Sequence, residues 1–104
     1  FMNKILLLIT TDPDEKNAKC IAKLLIEKKL AACVSIKKIF SIYKWKENFE
    51  ETQEFEITIK TKPALRDELI IFLKETSSYE IPQIIFKEFN CETNYYEWLK
   101  KIFN

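Results

Sequence analysis

Two residue types are missing from the 104 residues altogether, glycine and histidine. Without glycine there can be no loop whose backbone must press closely against a phosphate, which excludes the P-loop and the dinucleotide fingerprint. Without histidine the chain lacks the side chain that most often serves as general base and as transition-metal ligand. Charge of one sign is also lacking: 17 basic residues face 16 acidic ones, a net charge of +1. No bulk field draws such a chain onto nucleic acid or a membrane surface. Long hydrophobic runs are absent too. Ile5-Leu6-Leu7-Leu8-Ile9 breaks off at Thr10-Thr11-Asp12-Pro13-Asp14-Glu15, too short for a bilayer span and wrongly flanked for a secretory segment. The three cysteines, Cys20, Cys33 and Cys91, are odd in number and far apart, and none forms a CxxC pair. Free thiols in a reducing cytoplasm are the expectation.

What the chain does have is apolar bulk. Hydrophobic residues make up 47% of it, with fourteen Phe, Tyr and Trp, many for the thin core that a chain of this length can build. Burial between copies would account for the excess. Residues 2–104 are expected to form a single domain, with Phe1 ahead of Met2 set aside.

The most informative stretch is a long hairpin. One arm runs from Cys33 to Tyr43 and the other from Glu50 to Thr61; each is about twice the usual 5–6 residues of a strand. A ribbon of that length overshoots the core of a small domain, so its outer half must meet something else, most simply another copy of the chain. The turn falls near Lys46-Glu47-Asn48, with Asn48 the residue best suited to positive φ. Alternation puts Phe55, Ile57 and Ile59 on one face of the second arm, and Glu54, Glu56, Thr58 and Lys60 on the other.

Around this hairpin the other elements fall into order. Ile5–Ile9 reads as a central strand. A helix follows, with Asp12 as cap, Pro13 at its first position, Glu15 three residues on, and an apolar face of Ala18, Ile21, Ala22 and Leu25. After the hairpin, Thr61-Lys62-Pro63 opens a second helix with Leu65, Leu69, Phe72 and Leu73 on its apolar face. Residues 81–89 read as a fourth strand covered on both faces, with Pro82 confined to its start. A last helix carries Tyr95, Trp98, Leu99 and Ile102. The pattern is the α+β, ferredoxin-like βαββαβ order, with a long second-to-third-strand hairpin and a C-terminal helix.

This topology hosts several chemistries. RNA-recognition domains stack bases on aromatics of the third strand, but here that face offers Glu54 and Glu56, which repel phosphate. A phosphatase-type anion cradle after the first strand is opposed by Asp12, Asp14 and Glu15, which would occupy the helix N-terminus that a phosphate needs. A soft-metal site would have to come from thiols on separate elements; a carboxylate site for a hard cation stays open. The remaining possibility is a cleft between subunits. Tyr43, Trp45, Glu54, Lys60, Tyr79 and Glu80 gather an acid, a base and phenols around an apolar rim, with Pro82 shaping the strand start and Trp45 as apolar anchor. The alternative is that these same groups form interface hydrogen bonds and ion pairs. Glu54 and Lys60, six apart in one strand, are too distant to touch and should find partners in neighbouring segments or subunits. Nothing here composes a catalytic site.

The motifs Thr11-Asp12-Pro13-Asp14-Glu15, Leu30-Ala31-Ala32-Cys33-Val34, Ser41-Ile42-Tyr43-Lys44-Trp45, Glu54 with Ile59-Lys60-Thr61, and Tyr79-Glu80-Ile81-Pro82 occur in that order, followed by Tyr95, Glu97, Trp98 and Leu99. Together they resemble the CutA family of divalent-cation tolerance proteins over nearly the whole chain. The resemblance implies a ferredoxin-like fold, a homotrimer whose hairpins reach onto neighbouring subunits, and a part in tolerance to copper and other divalent metals. It also implies likeness to nitrogen-regulatory signalling trimers, whose clefts bind small effectors. A trimeric signalling or scaffold module that takes a small molecule or a partner protein is therefore the alternative reading. The chain departs from the family's copper-binding pattern. Thr10 stands where a cysteine ends the first strand, Ser77-Ser78-Tyr79 where a histidine stands just before the Pro-Tyr pair that precedes the final strand, and Gln83 where an acid is common after the later proline. No copper ligand is carried over, and copper or another divalent cation remains only a possible cofactor. Glu47 replaces the usual hairpin glycine.

Overall fold

Four strands and three helices account for most of the computed structural model, which describes residues 3–104. In chain order they are β1 (Lys4–Asp12), α1 (Glu15–Glu27), β2 (Cys33–Trp45), β3 (Asn48–Thr61), a short 3-10 turn (Pro63–Leu65), α2 (Arg66–Thr76), β4 (Ile85–Asn90) and α3 (Thr93–Ile102). The sheet order is β2-β3-β1-β4 with β3 antiparallel to both of its neighbours. β1 and β2 are thus split by β3, the ferredoxin-like arrangement expected from the sequence.

Side-chain alternation decides which face each helix covers. Leu8 of β1 and Phe55, Ile57 and Ile59 of β3 meet Ala18, Ile21 and Leu25 of α1 and Leu69 and Leu73 of α2 in one core. Leu8, Leu25, Ile57, Ile59 and Leu69 are wholly enclosed; each such side chain contributes about 1.5–3 kcal/mol by leaving water. Ile5 points the other way and packs with Ala32 and Leu99, so α3 lies over the opposite face of the sheet. The carboxylate of Glu92 caps α3 by accepting the N–H groups of Asn94 and Tyr95, and these bonds hold it below the usual carboxylate range.

The hairpin is as long as the sequence requires and two residues longer at its turn. β2 has 13 residues and β3 has 14, paired without interruption from Cys33↔Lys60 to Trp45↔Asn48. The molecule is drawn out to 47 × 26 × 22 Å, with a radius of gyration of 14.7 Å against about 13 Å for a compact chain of this length. The core-facing stripe of the ribbon continues past the helices. Phe40, Ile42 and Phe49 lie in register on the same face as Phe55 and Ile57, yet are 79%, 64% and 70% exposed.

Three expectations need correction. Asp12 does not cap α1: it stays in β1, paired with Phe55, and Asp14 caps the helix by accepting the Asn17 N–H. Pro13 therefore precedes the cap rather than opening the helix. The fourth strand begins at Ile85, because β1 pairs with it only from Lys4 to Ile9; Pro82, which has no N–H to donate, sits in the preceding loop. β4 is exposed at all six positions, so its faces are not covered within this chain.

The third correction concerns the turn. Lys46 and Glu47 take φ of 51° and 71°, while Asn48 already pairs as the first residue of β3. Positive φ at both central residues matches the right-handed twist of the flanking strands, but side chains with a Cβ resist it. Lys29, with φ of 56° just past α1, meets the same demand. It turns the chain so that the N–H groups of Leu30 and Ala31 reach the Leu25 carbonyl. In a chain without glycine these positions carry strain that glycine would remove. Replacing Glu47→Gly should stabilise the fold by about 0.5–1 kcal/mol, read as a higher guanidinium midpoint with an unchanged slope. An unchanged midpoint would show that the turn is not strained.

Candidate groove beside the hairpin

The face of the ribbon opposite the core stripe is built by register. Tyr43 pairs with Glu50, Ser41 with Thr52, and Ile39 with Glu54, so Ser41, Tyr43 and Trp45 share a side with Glu50, Thr52 and Glu54. Facing them is the loop between α2 and β4. Together they enclose a groove of about 650 Å³, lined by Thr11, Ser41, Ile42, Tyr43, Trp45, Glu50, Glu54, Ser78, Tyr79, Glu80, Ile81 and Gln83. That volume is in the range of small-molecule sites.

Two contacts hold the loop to the sheet. Asp12 is wholly buried, and its carboxylate accepts three hydrogen bonds: from the Asp14 N–H at 3.0 Å, the Asn17 side-chain amide at 2.8 Å and the Ser78 hydroxyl at 3.1 Å. The Asn17 amide also donates to Ser78 at 3.1 Å. The end of β1, the start of α1 and the loop are thereby fixed to one carboxylate. One residue on, the Tyr79 hydroxyl donates to Glu54 Oε1 at 2.6 Å, a charge-assisted bond of the short, strong kind. Glu54 is only 7% exposed. Burial, and then the adjacent Glu54 carboxylate, push the Tyr79 phenol well above its usual range, because a phenolate there would be poorly solvated and would repel Glu54. At the rim, the Lys46 ammonium lies 3.8 Å from Glu80 and 5.6 Å from the centre of the Trp45 ring.

Of the residues singled out from the sequence, Tyr43, Trp45, Glu54, Tyr79 and Glu80 line this groove. Pro82 lies in the same loop but is not among the lining residues. Lys60 is not brought there: it pairs with Cys33 at the far end of the ribbon, and its ammonium sits 5.9 Å from the Tyr95 ring of α3. Glu54 and Lys60 each find a partner in a neighbouring segment, Tyr79 and Tyr95 respectively. The sequence reading missed the part played by Asp12 and Ser78, since it assigned Asp12 to the helix cap. It also missed Ser41 and Glu50, which cross-strand counting from the turn would have placed beside Tyr43 and Glu54.

The donor set does not fit a soft metal ion. Cys20 is on the surface of α1, Cys33 begins β2, and Cys91 packs beside α3. Thr10, where a thiol would be needed, is a buried hydroxyl. Among the described residues no three His, Cys, Asp or Glu side chains stand together as a metal-holding group. The groove instead presents carboxylates and aromatic rings.

Comparison with known proteins adds the lineage. A family model described as CutA1 divalent ion tolerance protein matches residues 6–102. Protein CutA of Mus musculus is 45% identical over 76 residues, covering 72% of this chain and 43% of its own length; the chain therefore spans less than half of that relative. The solved structure of CutA from Synechococcus elongatus superposes with a TM-score of 0.93 at 29% identity, over 98% of this chain and 92% of that one. A structure described as the periplasmic divalent cation tolerance protein CutA from Archaeoglobus fulgidus superposes with a TM-score of 0.91 at 31% identity, over 96% and 99% of the two chains.

Two outcomes test the geometry. The raised Tyr79 phenol stays protonated in the folded state above the pH, about 10, at which it ionises in the unfolded chain. The folded state then holds more protons, so stability is fully present below about pH 10 and falls as pH rises through the unfolded value. Tyr79→Phe should flatten that alkaline fall, measured by denaturant midpoints between pH 8 and 11; an unchanged slope would contradict the assignment. Asp12→Ala removes three accepted bonds from a buried site and should cost about 2–4 kcal/mol. A loss below about 0.5 kcal/mol would mean that the loop is held by other contacts.

Proposed function

The chain belongs to the CutA1 divalent ion tolerance family, and from that premise we propose that it works as a homotrimer in the response to divalent metal ions. In this reading the groove beside the hairpin receives a small ligand, and the chain does not sequester copper through its own thiols. The observation that carries the assembly is the bare outer half of the ribbon. Phe40, Ile42 and Phe49 are exposed on the face that elsewhere forms the core, and Ile85, Phe86 and Phe89 are exposed on β4. An apolar face of this extent marks an interaction surface, and a closed symmetric assembly of identical copies is the usual solution for one chain, a trimer closing through head-to-tail contacts.

The groove favours a sensing role over a storage role. It has the volume of a ligand site and a buried carboxylate, whereas the three thiols lie on separate elements. A trimeric signalling or scaffold module is the same proposal carried one step further, with the groove as its input. The free thiols suit a reducing cytoplasm, although the Archaeoglobus fulgidus relative is described as periplasmic. Among the described residues no helix is long and apolar enough to cross a membrane.

Sedimentation at micromolar concentration should give about three times the chain mass of 12.5 kDa. Phe40→Glu, which places a charge in the proposed contact, should shift it toward the single-chain mass with helix content retained. Calorimetric titration of the freshly reduced protein with copper, zinc and manganese should give no tight stoichiometric uptake beyond what a Cys20, Cys33, Cys91→Ser triple variant retains. A wild-type monomer would defeat the assembly; tight uptake abolished in the triple variant would make the protein a thiol-based copper binder.

A further inference from the structure

The walls of the groove are chemically one-sided. Glu50, Glu54 and Glu80 supply carboxylates, Tyr43, Trp45 and Tyr79 supply rings, and no lysine or arginine is among the lining residues. Glu54 is the informative member. It is more than nine-tenths buried and Tyr79 bonds one of its oxygens, Oε1. Among the described residues its second oxygen, Oε2, receives no hydrogen bond and no cation lies within ion-pair distance. A buried carboxylate is costly to keep unless a cation or a full set of donors meets it. Oε2 is not one of the enclosed polar atoms left without a partner, so it opens into the groove, where water or a cation can meet it.

The rim contains an internal example of what fills such a demand. The Lys46 ammonium sits between the Trp45 ring and the Glu80 carboxylate. That is an alkylammonium held by one aromatic ring and one acid, the pairing that attracts organic cations. The same elements recur in the lining around Glu54, which Tyr79 bonds, with the Tyr43 ring also lining the groove and no lysine there.

We propose that the groove binds a small aliphatic amine, its ammonium group meeting Glu54 between the tyrosine rings and its alkyl chain running toward Trp45 at the rim. A second ammonium on the same molecule would find Glu50 or Glu80. A metal ion is a poorer occupant, because among the described residues the carboxylates do not stand together as a metal-holding group. An anion is repelled by all three carboxylates. This inference rests on the reading of the groove as a ligand site and adds the class of ligand.

Trp45 reports on the groove directly once Trp98, the other tryptophan, is changed Trp98→Phe. The test titrates this full-length variant with three probes of one chain length: 1,5-diaminopentane, 1,5-pentanediol and glutarate. The diamine should shift Trp45 emission saturably, and the diol and the dicarboxylate should not. Glu54→Gln keeps an acceptor for the Tyr79 hydroxyl but removes the charge, and should weaken diamine binding by about tenfold or more at unchanged sedimentation mass. Should Glu54→Gln fail to fold, Lys46→Gln decides: removing the competing internal ammonium should tighten diamine binding severalfold, and unchanged or weaker binding would overturn the proposal. A response to glutarate or pentanediol without one to the diamine would overturn the cationic class while leaving the groove a ligand site. Silence toward all three probes, with the Glu54→Gln mass unchanged, would overturn the ligand site and the proposal together. Silence accompanied by dissociation of the Glu54→Gln assembly would show Glu54 to be met by a cation of a sister copy, which also overturns the proposal.

Discussion

Everything distinctive about this molecule follows from two strands that outrun the helices laid against them. Over the inner half of the ribbon, Val34, Ile36, Phe55, Ile57 and Ile59 have α1 and α2 to pack on. Over the outer half the same alternation continues through Phe40, Ile42 and Phe49 with nothing above it. A free two-stranded ribbon is marginal in water, and a bare apolar stripe makes it more so. The homotrimer proposed here supplies the missing layer from identical copies, which requires no other partner.

The reverse face of that ribbon serves a different purpose. Because strand side chains alternate, each residue added to the overshoot lengthens both the apolar stripe and the opposing row of Ser41, Tyr43, Trp45, Glu50 and Glu54. This row becomes a groove only because the loop before β4 is drawn against it. Asp12 fixes Ser78, and the next residue, Tyr79, reaches Glu54. The proposed assembly face and the proposed ligand face are thus carried by the same two strands, so a ligand bound there would act on an element that the proposed interface also uses. That is a simple physical route from binding to signalling in a divalent ion tolerance family.

Much of this was legible in the residues. The period-2 pattern of Phe55, Ile57 and Ile59, the apolar spacing of α1 and the length of the hairpin set the sheet order and the overshoot. Five of the seven candidate site residues meet in one groove: Tyr43, Trp45 and Glu54 share a face of the hairpin, and Tyr79 and Glu80 lie in the loop drawn against it. What could not be read were contacts between distant segments. Asp12 looks like a helix cap in its local sequence, but pairing with Phe55 keeps it in the strand, and its partner Ser78 lies 66 residues away. Lys60 looked like a member of the cleft because alternation gives its face but not its distance along the ribbon. The turn was placed correctly, but its positive-φ residue was not, for a local reason. Asn48 has the stronger preference for positive φ, yet the pairing Trp45↔Asn48 leaves Lys46 and Glu47 to adopt it.

Amide hydrogen exchange of residues 40–44 and 49–53, followed as a function of protein concentration, tests most directly whether the ribbon depends on sister copies. If it does, these amides exchange as slowly as those of the β1–β3 core at micromolar concentration and lose that protection on dilution, together with the assembly. Rapid exchange of the outer ribbon at every concentration, or slow exchange that persists in a sedimenting monomer, would contradict the account.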